Sequence, residues 1–441
     1  MAMIAPFRGI RYNPDIIKDV TEVVTPPYDV ISPAEQEKYF NRHPYNIIRL
    51  DLNPPSPRDT AGDNPHTRAA AAFAEWQRQG VLRRDSQPAI YLSRVDFNRK
   101  GRTVSRHGMI VQVKLEPFEN KIILPHEKTF SKVKSERLDL MKACHANFSP
   151  VFSLYSDQEG IQERLLAAAE NSPPVMDIVE DHGLRQRMWV ITEPAVHDFV
   201  VRSFAAKRLF IADGHHRYET ALNYRQWLSD KTPDWRPDHP ANYMMMYLCS
   251  MEDPGLVVLP AHRLLSDVPA DALADFIRAA ADWFEIETVP FTPEEFRPAR
   301  ELFLDRLERR RDNATIGVAM AGRRELYLLT LRQGAMDRLS GGDIPPALKS
   351  LDVTVLTRLI LMEILGFDQG RLDDERFITY SSDAVGAVEA AVSGGCKIAF
   401  LLNPTKIDQV RAIAEAGLIM PRKTTYFYPK PITGQVINPL G

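Results

Sequence analysis

Ile211-Ala212-Asp213-Gly214-His215-His216-Arg217-Tyr218-Glu219 is where an apolar run gives way to a helical pattern. Arg208 to Ala212 reads as a short buried strand, and Gly214 permits a tight turn. Ala221, Tyr224 and Leu228 then recur at spacings of three and four, which marks one face of a helix. A strand that enters a helix through one glycine gathers the first free N–H groups and the positive dipole end at one point, a natural phosphate site. Arg217 offers a planar fork for phosphate oxygens. His215 and His216 can donate hydrogen bonds or shuttle a proton. Asp213 has several uses: it can accept a proton, orient a histidine, or hold Mg²⁺ beside a phosphate. A plain alternative is that Asp213 caps the helix while the histidines pack nearby. Two histidines and an arginine resist burial, which favours chemistry over packing.

Outward from this junction, strand-like and helix-like segments alternate. Val20 to Val24 and Asn46 to Leu50 read as strands, and Ser32-Pro33-Ala34-Glu35 has the form of a capping box with proline at the first helical position. Thr67 to Gln79 reads as an alanine-rich helix. Ala89 to Val95 and Val104 to Leu115 read as a hairpin turned at Asn98-Arg99-Lys100-Gly101. Further on, Asp271–Ala280, Pro293–Arg309, Val353–Leu365 and Ile407–Glu415 are helical, and Thr315–Ala319, Leu326–Leu331 and Lys397–Leu402 extended. The fold class expected is α/β to α+β with mixed sheets. The boundary is expected between Pro260 and Pro269. That gives a core domain over 1–265 with an inserted hairpin region, and a second α/β domain over 266–441 whose tail docks back.

Composition narrows the function. The 441 residues carry 55 Lys+Arg against 58 Asp+Glu, a formal net charge of −3, which supplies no basic excess for a nucleic acid partner. Cys144, Cys249 and Cys396 are odd in number and far apart, so neither a disulfide framework nor a CxxC site is indicated. Met1 to Arg8 lacks the pattern of a secretion signal, and no run approaches 18 apolar residues. The expectation is a soluble cytoplasmic chain with no membrane partner and small-molecule ligands; oligomeric state is left open.

Other segments add candidates. Leu124-Pro125-His126-Glu127-Lys128-Thr129-Phe130, with Arg137 and His145 beyond it, packs both signs of charge into a short span. Glu127 is the candidate general base, His126 its neighbour, and Lys128 or Arg137 a phosphate partner, because phosphoryl transfer needs mainly positioning and charge neutralisation. An exposed loop and amphipathic helix is the ordinary alternative. Pro26-Pro27 fix an extended turn that holds Asp29 either towards a ligand or in an Asx turn. His262, after an apolar run, and His145 are further substrate-binding candidates. The segment from Lys423 to Lys430 is either a docked edge strand or a lid that brings Lys423 or Lys430 to phosphate.

The Asp213-Gly214-His215-His216-Arg217 run between strand and helix resembles the phosphate-binding motif of the ParB/sulfiredoxin-like superfamily, and within it the ADP-dependent free serine kinase. The whole chain also resembles a bacterial and archaeal family known as a domain of unknown function. Pro26-Pro27-Tyr28-Asp29-Val30-Ile31, Pro125-His126-Glu127-Lys128-Thr129 and Met420 to Lys430 carry that resemblance together with the motif. The resemblance implies a ParB/sulfiredoxin-like core that cradles nucleotide phosphate, a separate acid that activates a serine hydroxyl, and a link to serine biosynthesis. Sulfiredoxin chemistry needs a cysteine in the motif, and none lies between Cys144 and Cys249.

Together these readings describe an enzyme that transfers a phosphoryl group to or from free serine, as serine kinase or phosphoserine phosphatase. ADP, ATP or AMP is the expected co-substrate, Mg²⁺ a possible cofactor, and Asp213 the ligand if the metal is held. The other reading is a non-catalytic regulatory protein that binds a nucleotide or phosphoamino acid. A metallohydrolase lacks the ligand spacing it needs, since no HExxH or equivalent occurs.

Overall fold

The computed structural model describes the chain except residues 128–130, 182, 341–342 and 375, and the side chains of 131–135 and 373. The residues divide into two compact units, Met1–Val257 with Pro429–Gly441, and Val258–Tyr428. Both mix helices with sheets, so the fold is α+β with a two-domain architecture.

The first unit is built on a nine-stranded mixed sheet. Its order is Ile123–Leu124, Leu209–Asp213, Val151–Tyr155, Tyr243–Ser250, Arg102–Lys114, Ile90–Arg99, Arg185–Ile191 and Met176–Val179, with Ile4–Ala5 paired to Arg102–Lys114. The hairpin lies in the middle of this sheet, turned at Lys100 and Gly101, both with positive φ. One face packs Val111, Val151, Ile211, Met246 and Leu248 against Val200 and Phe204 from one helix and Tyr218, Ala221 and Tyr224 from another.

The tail belongs to this unit. Thr433 bridges Thr25, Ile437 bridges Ile10, and Asn438–Pro439 pairs with Ala146–Asn147. Ile432, Val436, Ile437 and Leu440 are buried, and so are the polar Thr433, Gln435 and Asn438. Buried polar groups need partners, and Asn438 finds one by donating to the Asn147 side chain at 2.9 Å.

The second unit carries a six-stranded antiparallel sheet in the order Phe284–Pro290, Glu325–Leu331, Thr315–Met320, Ile398–Leu401, His262–Leu265 and Ile378–Ser381. Alternation along the strands feeds two apolar clusters, one with Ile316, Val318 and Phe400, the other with Ala319, Ala399 and Leu401.

Two expectations are corrected and one is refined. Val20–Glu22 is a turn of 3₁₀ helix, not a strand, because Asp19 caps it by accepting from the Thr21 N–H at 2.9 Å. Ile48–Asp51 is a helical turn set by Asn46, which accepts from the Ile48 N–H and donates to the Glu22 carbonyl. Short apolar runs are buried in either backbone form, so their pattern does not choose between them. The helix expected over Val353–Leu365 begins as one α turn at Asp352–Val355 and continues over Leu356–Ile364 with wider π spacing.

Candidate active site

The strand Leu209–Asp213 is antiparallel to Val151–Tyr155, with Ile211 opposite Ser153. A bulge follows, so Asp213 falls opposite Phe152 where a regular register would give Val151. One residue of slip turns a side chain to the other face of a sheet. Asp213 therefore leaves the apolar face of Ile211 and joins Phe152 and Tyr247, which are themselves in register.

Gly214 continues the chain at φ 94°, ψ 29°, and the helix His215–Ser229 starts at once, its N-cap residue having no side chain to cap it. A Cβ on Gly214 would lie 2.9 Å from Arg217 Nε and 3.0 Å from its Cζ, because the guanidinium folds back over the turn. Glycine is required here twice, by the left-handed backbone and by this contact.

Around that turn lies a chain of buried charges. Arg217 Nη2 donates to Asp213 Oδ2 at 2.5 Å, and Nη1 donates to the Pro150 carbonyl. Lys430 Nζ lies 2.7 Å from Asp213 Oδ1 and also bonds Asp29 Oδ2. Asp29 sits in the single 3₁₀ turn Tyr28–Val30, entered from Pro27 in extended conformation. The Tyr28 ring faces the Arg137 guanidinium at 4.3 Å and that of Arg217 at 6.0 Å. Arg137 donates to Asp51 through both the carbonyl, at 2.7 Å, and Oδ1, at 3.2 Å.

These neighbours set the charge states. Burial would raise the Asp213 carboxyl, but Lys430 and Arg217 overcome it and hold the group well below its ordinary value. Burial would lower Lys430, yet Asp213 and Asp29 raise it. Burial pushes the Tyr28 phenol up to about 12 against the pull of Arg217 and Arg137. Asp213 is thus a fixed anion that anchors two cations. Each of its oxygens holds a cation, and the described residues include no group of three or more His, Cys, Asp or Glu placed to hold a metal.

A second set of residues flanks the turn. His215 Nε2 accepts the His126 backbone N–H at 3.2 Å, and the two rings meet edge to face at 4.7 Å. His215 Nδ1 lies 4.0 Å from Glu127 Oε2, whose side chain is 30% exposed. Burial lowers both imidazoles, His126 to about 4 and His215 well below its usual value, so both are neutral near pH 7.

The site-residue candidates of the sequence separate as follows. Asp213, Gly214, His215, Arg217, His126, Glu127, Asp29 and Arg137 all lie in the first unit and make the contacts above. His216 is half-buried on the first turn of the helix. Lys128 lies outside the described residues. His145 ends the helix Ser131–Cys144 at φ 48°, with Nδ1 at 2.5 Å from the Tyr224 hydroxyl. His262 and Lys423 belong to the second unit. The His262 ring is buried and accepts the Leu402 N–H, and the Lys423 carbonyl accepts from Arg263. Asp51 was not among the candidates. An acid closing the largely apolar run Ile47-Ile48-Arg49-Leu50, interrupted only by Arg49, was its one signal.

A family model described as a protein of unknown function (DUF1015) matches residues 4–354. The chain belongs to this family. No curated protein matches the sequence. Among solved structures, a mutant free serine kinase in complex with ADP shares 11% identity over 73% of this chain and 87% of its own, with a TM-score of 0.34. A conserved hypothetical protein from Pyrococcus furiosus shares 11% over 73% and 91%, TM-score 0.32. SbnI with a C-terminal truncation, from Staphylococcus aureus, shares 10% over 74% and 86%, TM-score 0.35. Among the described residues, no helix is long and apolar enough to cross a membrane.

Proposed function

We propose that this DUF1015 protein transfers a phosphoryl group between a nucleotide and the hydroxyl of a small molecule, with free serine and phosphoserine as the pair suggested by the motif. The observation that carries the reading is at Arg217. Its Nη atoms are engaged by Asp213 and Pro150, while Nε is buried with no hydrogen-bond partner. A buried donor left unpaired is costly, and such a group calls for an acceptor. Gly214, which has no side chain, lies against that guanidinium at the start of a helix. An anionic oxygen suits both.

In this reading the first helical turn and Arg217 hold the phosphate and neutralise charge that develops on it. Glu127, not Asp213, takes the hydroxyl proton, because two cations hold Asp213 ionised and make it a weak base. The hydroxyl oxygen bonds to phosphorus as the bond to the nucleotide oxygen breaks, and the reverse path returns the proton from Glu127. A neutral His215 with Nε2 occupied carries its proton on Nδ1 and so turns a donor towards Glu127.

Phosphorus NMR tests this directly. The protein is incubated with Mg²⁺ and phosphoserine, alone and with AMP or ADP, and the phosphorus resonances are followed. Free phosphate, or transfer onto the nucleotide, is the expected result. Ligand broadening with no product after a day overturns turnover and leaves a binding protein.

A further inference from the structure

We propose that Lys430 is a second phosphate-binding cation of this site, supplied by the C-terminal segment, and that on ligand binding its ammonium exchanges Asp29 for a phosphate oxygen while staying on Asp213. The inference rests on the phosphate reading above and adds a residue beyond position 354, where the family match ends.

The first argument is placement. Lys430 and Arg217 bind the two oxygens of one carboxylate, at 2.7 and 2.5 Å, so their charged heads are held side by side. The second is charge. A phosphomonoester carries about −1.5 to −2 at neutral pH. Arg217 supplies one positive charge, already paired with Asp213, and Nε is its one nitrogen with no hydrogen-bond partner. With Lys430 beside it and released from Asp29, the trio with Asp213 presents a net positive charge that Arg217 and Asp213 by themselves do not.

The third argument is which bond gives way. Asp213 is held by both cations, and its side chain is 18% exposed. Asp29 sits in a one-turn element with its side chain 35% exposed, so water can replace the lysine there. Lys430 itself is 10% exposed and bracketed by Pro429 and Pro431, which fix the backbone on both sides. From Pro431 to Asn438 the tail is buried in the first unit. The ammonium is therefore presented by a fixed strap, and little ordering is left to oppose binding.

The test is calorimetric titration of ADP and of inorganic phosphate into the wild-type protein and three variants: Lys430→Arg, Lys430→Met, and Asp29→Asn combined with Lys430→Met. The double variant removes the acid that Lys430→Met leaves unpaired, so it keeps the test alive if the single variant does not fold. Thermal melts verify folding. Both methionine variants should lose on the order of 10- to 100-fold in affinity, while Lys430→Arg retains most of it. Binding by folded methionine variants equal to or tighter than wild type overturns the proposal and makes Lys430 a structural counter-ion. A wild-type protein that binds neither probe overturns the phosphate site itself, a failure that shows before any variant is compared.

Discussion

His215 Nε2 accepts the His126 backbone N–H at 3.2 Å, and this bond decides which nitrogen of His215 holds the proton. The neutral ring must be protonated on Nδ1, the atom 4.0 Å from Glu127 Oε2. A short movement converts that approach into a hydrogen bond, and it orients the carboxylate without lending it charge.

If Glu127 is the proton acceptor, Glu127→Gln should lower turnover by roughly 10²- to 10⁴-fold. ADP affinity should stay within a few-fold, because the amide keeps the shape and Glu127 is assigned no phosphate contact. Steady-state kinetics beside an ADP titration separate the two. Wild-type turnover in Glu127→Gln removes the assignment.

Gly214 supports both the backbone turn and the Arg217 fold-back. Gly214→Ala places a Cβ at φ 94° and 2.9 Å from Arg217 Nε. A stability loss of about 1–2 kcal/mol from the left-handed backbone is expected, together with loss of phosphate binding as the guanidinium is displaced. Urea unfolding gives the first and ADP titration the second. An alanine variant as stable as wild type, with unchanged affinity, means the turn adjusts freely.

The sequence shows this junction because its signals are local: an apolar run, a glycine, and a helical period within about four turns. The charge network is different in kind. Lys430 and Asp29 are 401 positions apart, and Asp51 meets Arg137 across 86, so no spacing advertises either pair. The direction of Asp213 is equally hidden, since it comes from a bulge fixed by pairing with Phe152 and Ser153. The same cause undid the strands expected at Val20–Val24 and Asn46–Leu50. There Asp19 and Asn46 side chains impose helical turns that the apolar pattern of the runs does not reveal.

Acid should destabilise the first unit before its carboxylates titrate. An unfolded chain binds the His126 proton near pH 6.5, whereas burial in the folded state moves that step to about 4. Between those values the unfolded state holds the extra proton, so stability falls as pH drops through this window and is flat above it. The full effect is about 3 kcal/mol. Urea midpoints at pH 7.5, 6.0 and 5.0 should decline, and less steeply in His126→Gln. His262, also lowered to about 4, keeps a similar slope in the second unit. Identical slopes in variant and wild type at the first unit's transition contradict the neutral, buried ring.

Arg217 tests whether geometry or charge alone serves the phosphate. Its three nitrogens differ in engagement: one donates to Asp213, one to the Pro150 carbonyl, and Nε is buried beside Gly214 with no hydrogen-bond partner. Lysine retains the charge but places it at one point on a flexible stem, so it cannot hold both anchors and the ligand. Arg217→Ala should reduce turnover by roughly 10²- to 10³-fold if the guanidinium stabilises charge in the transition state. Arg217→Lys should recover only a small part of that loss. Saturating-substrate rates for the two variants, with thermal melts to confirm folding, decide it. Full recovery by lysine would show that a bare positive charge beside Asp213 is enough, and the orphaned Nε would lose its assigned partner.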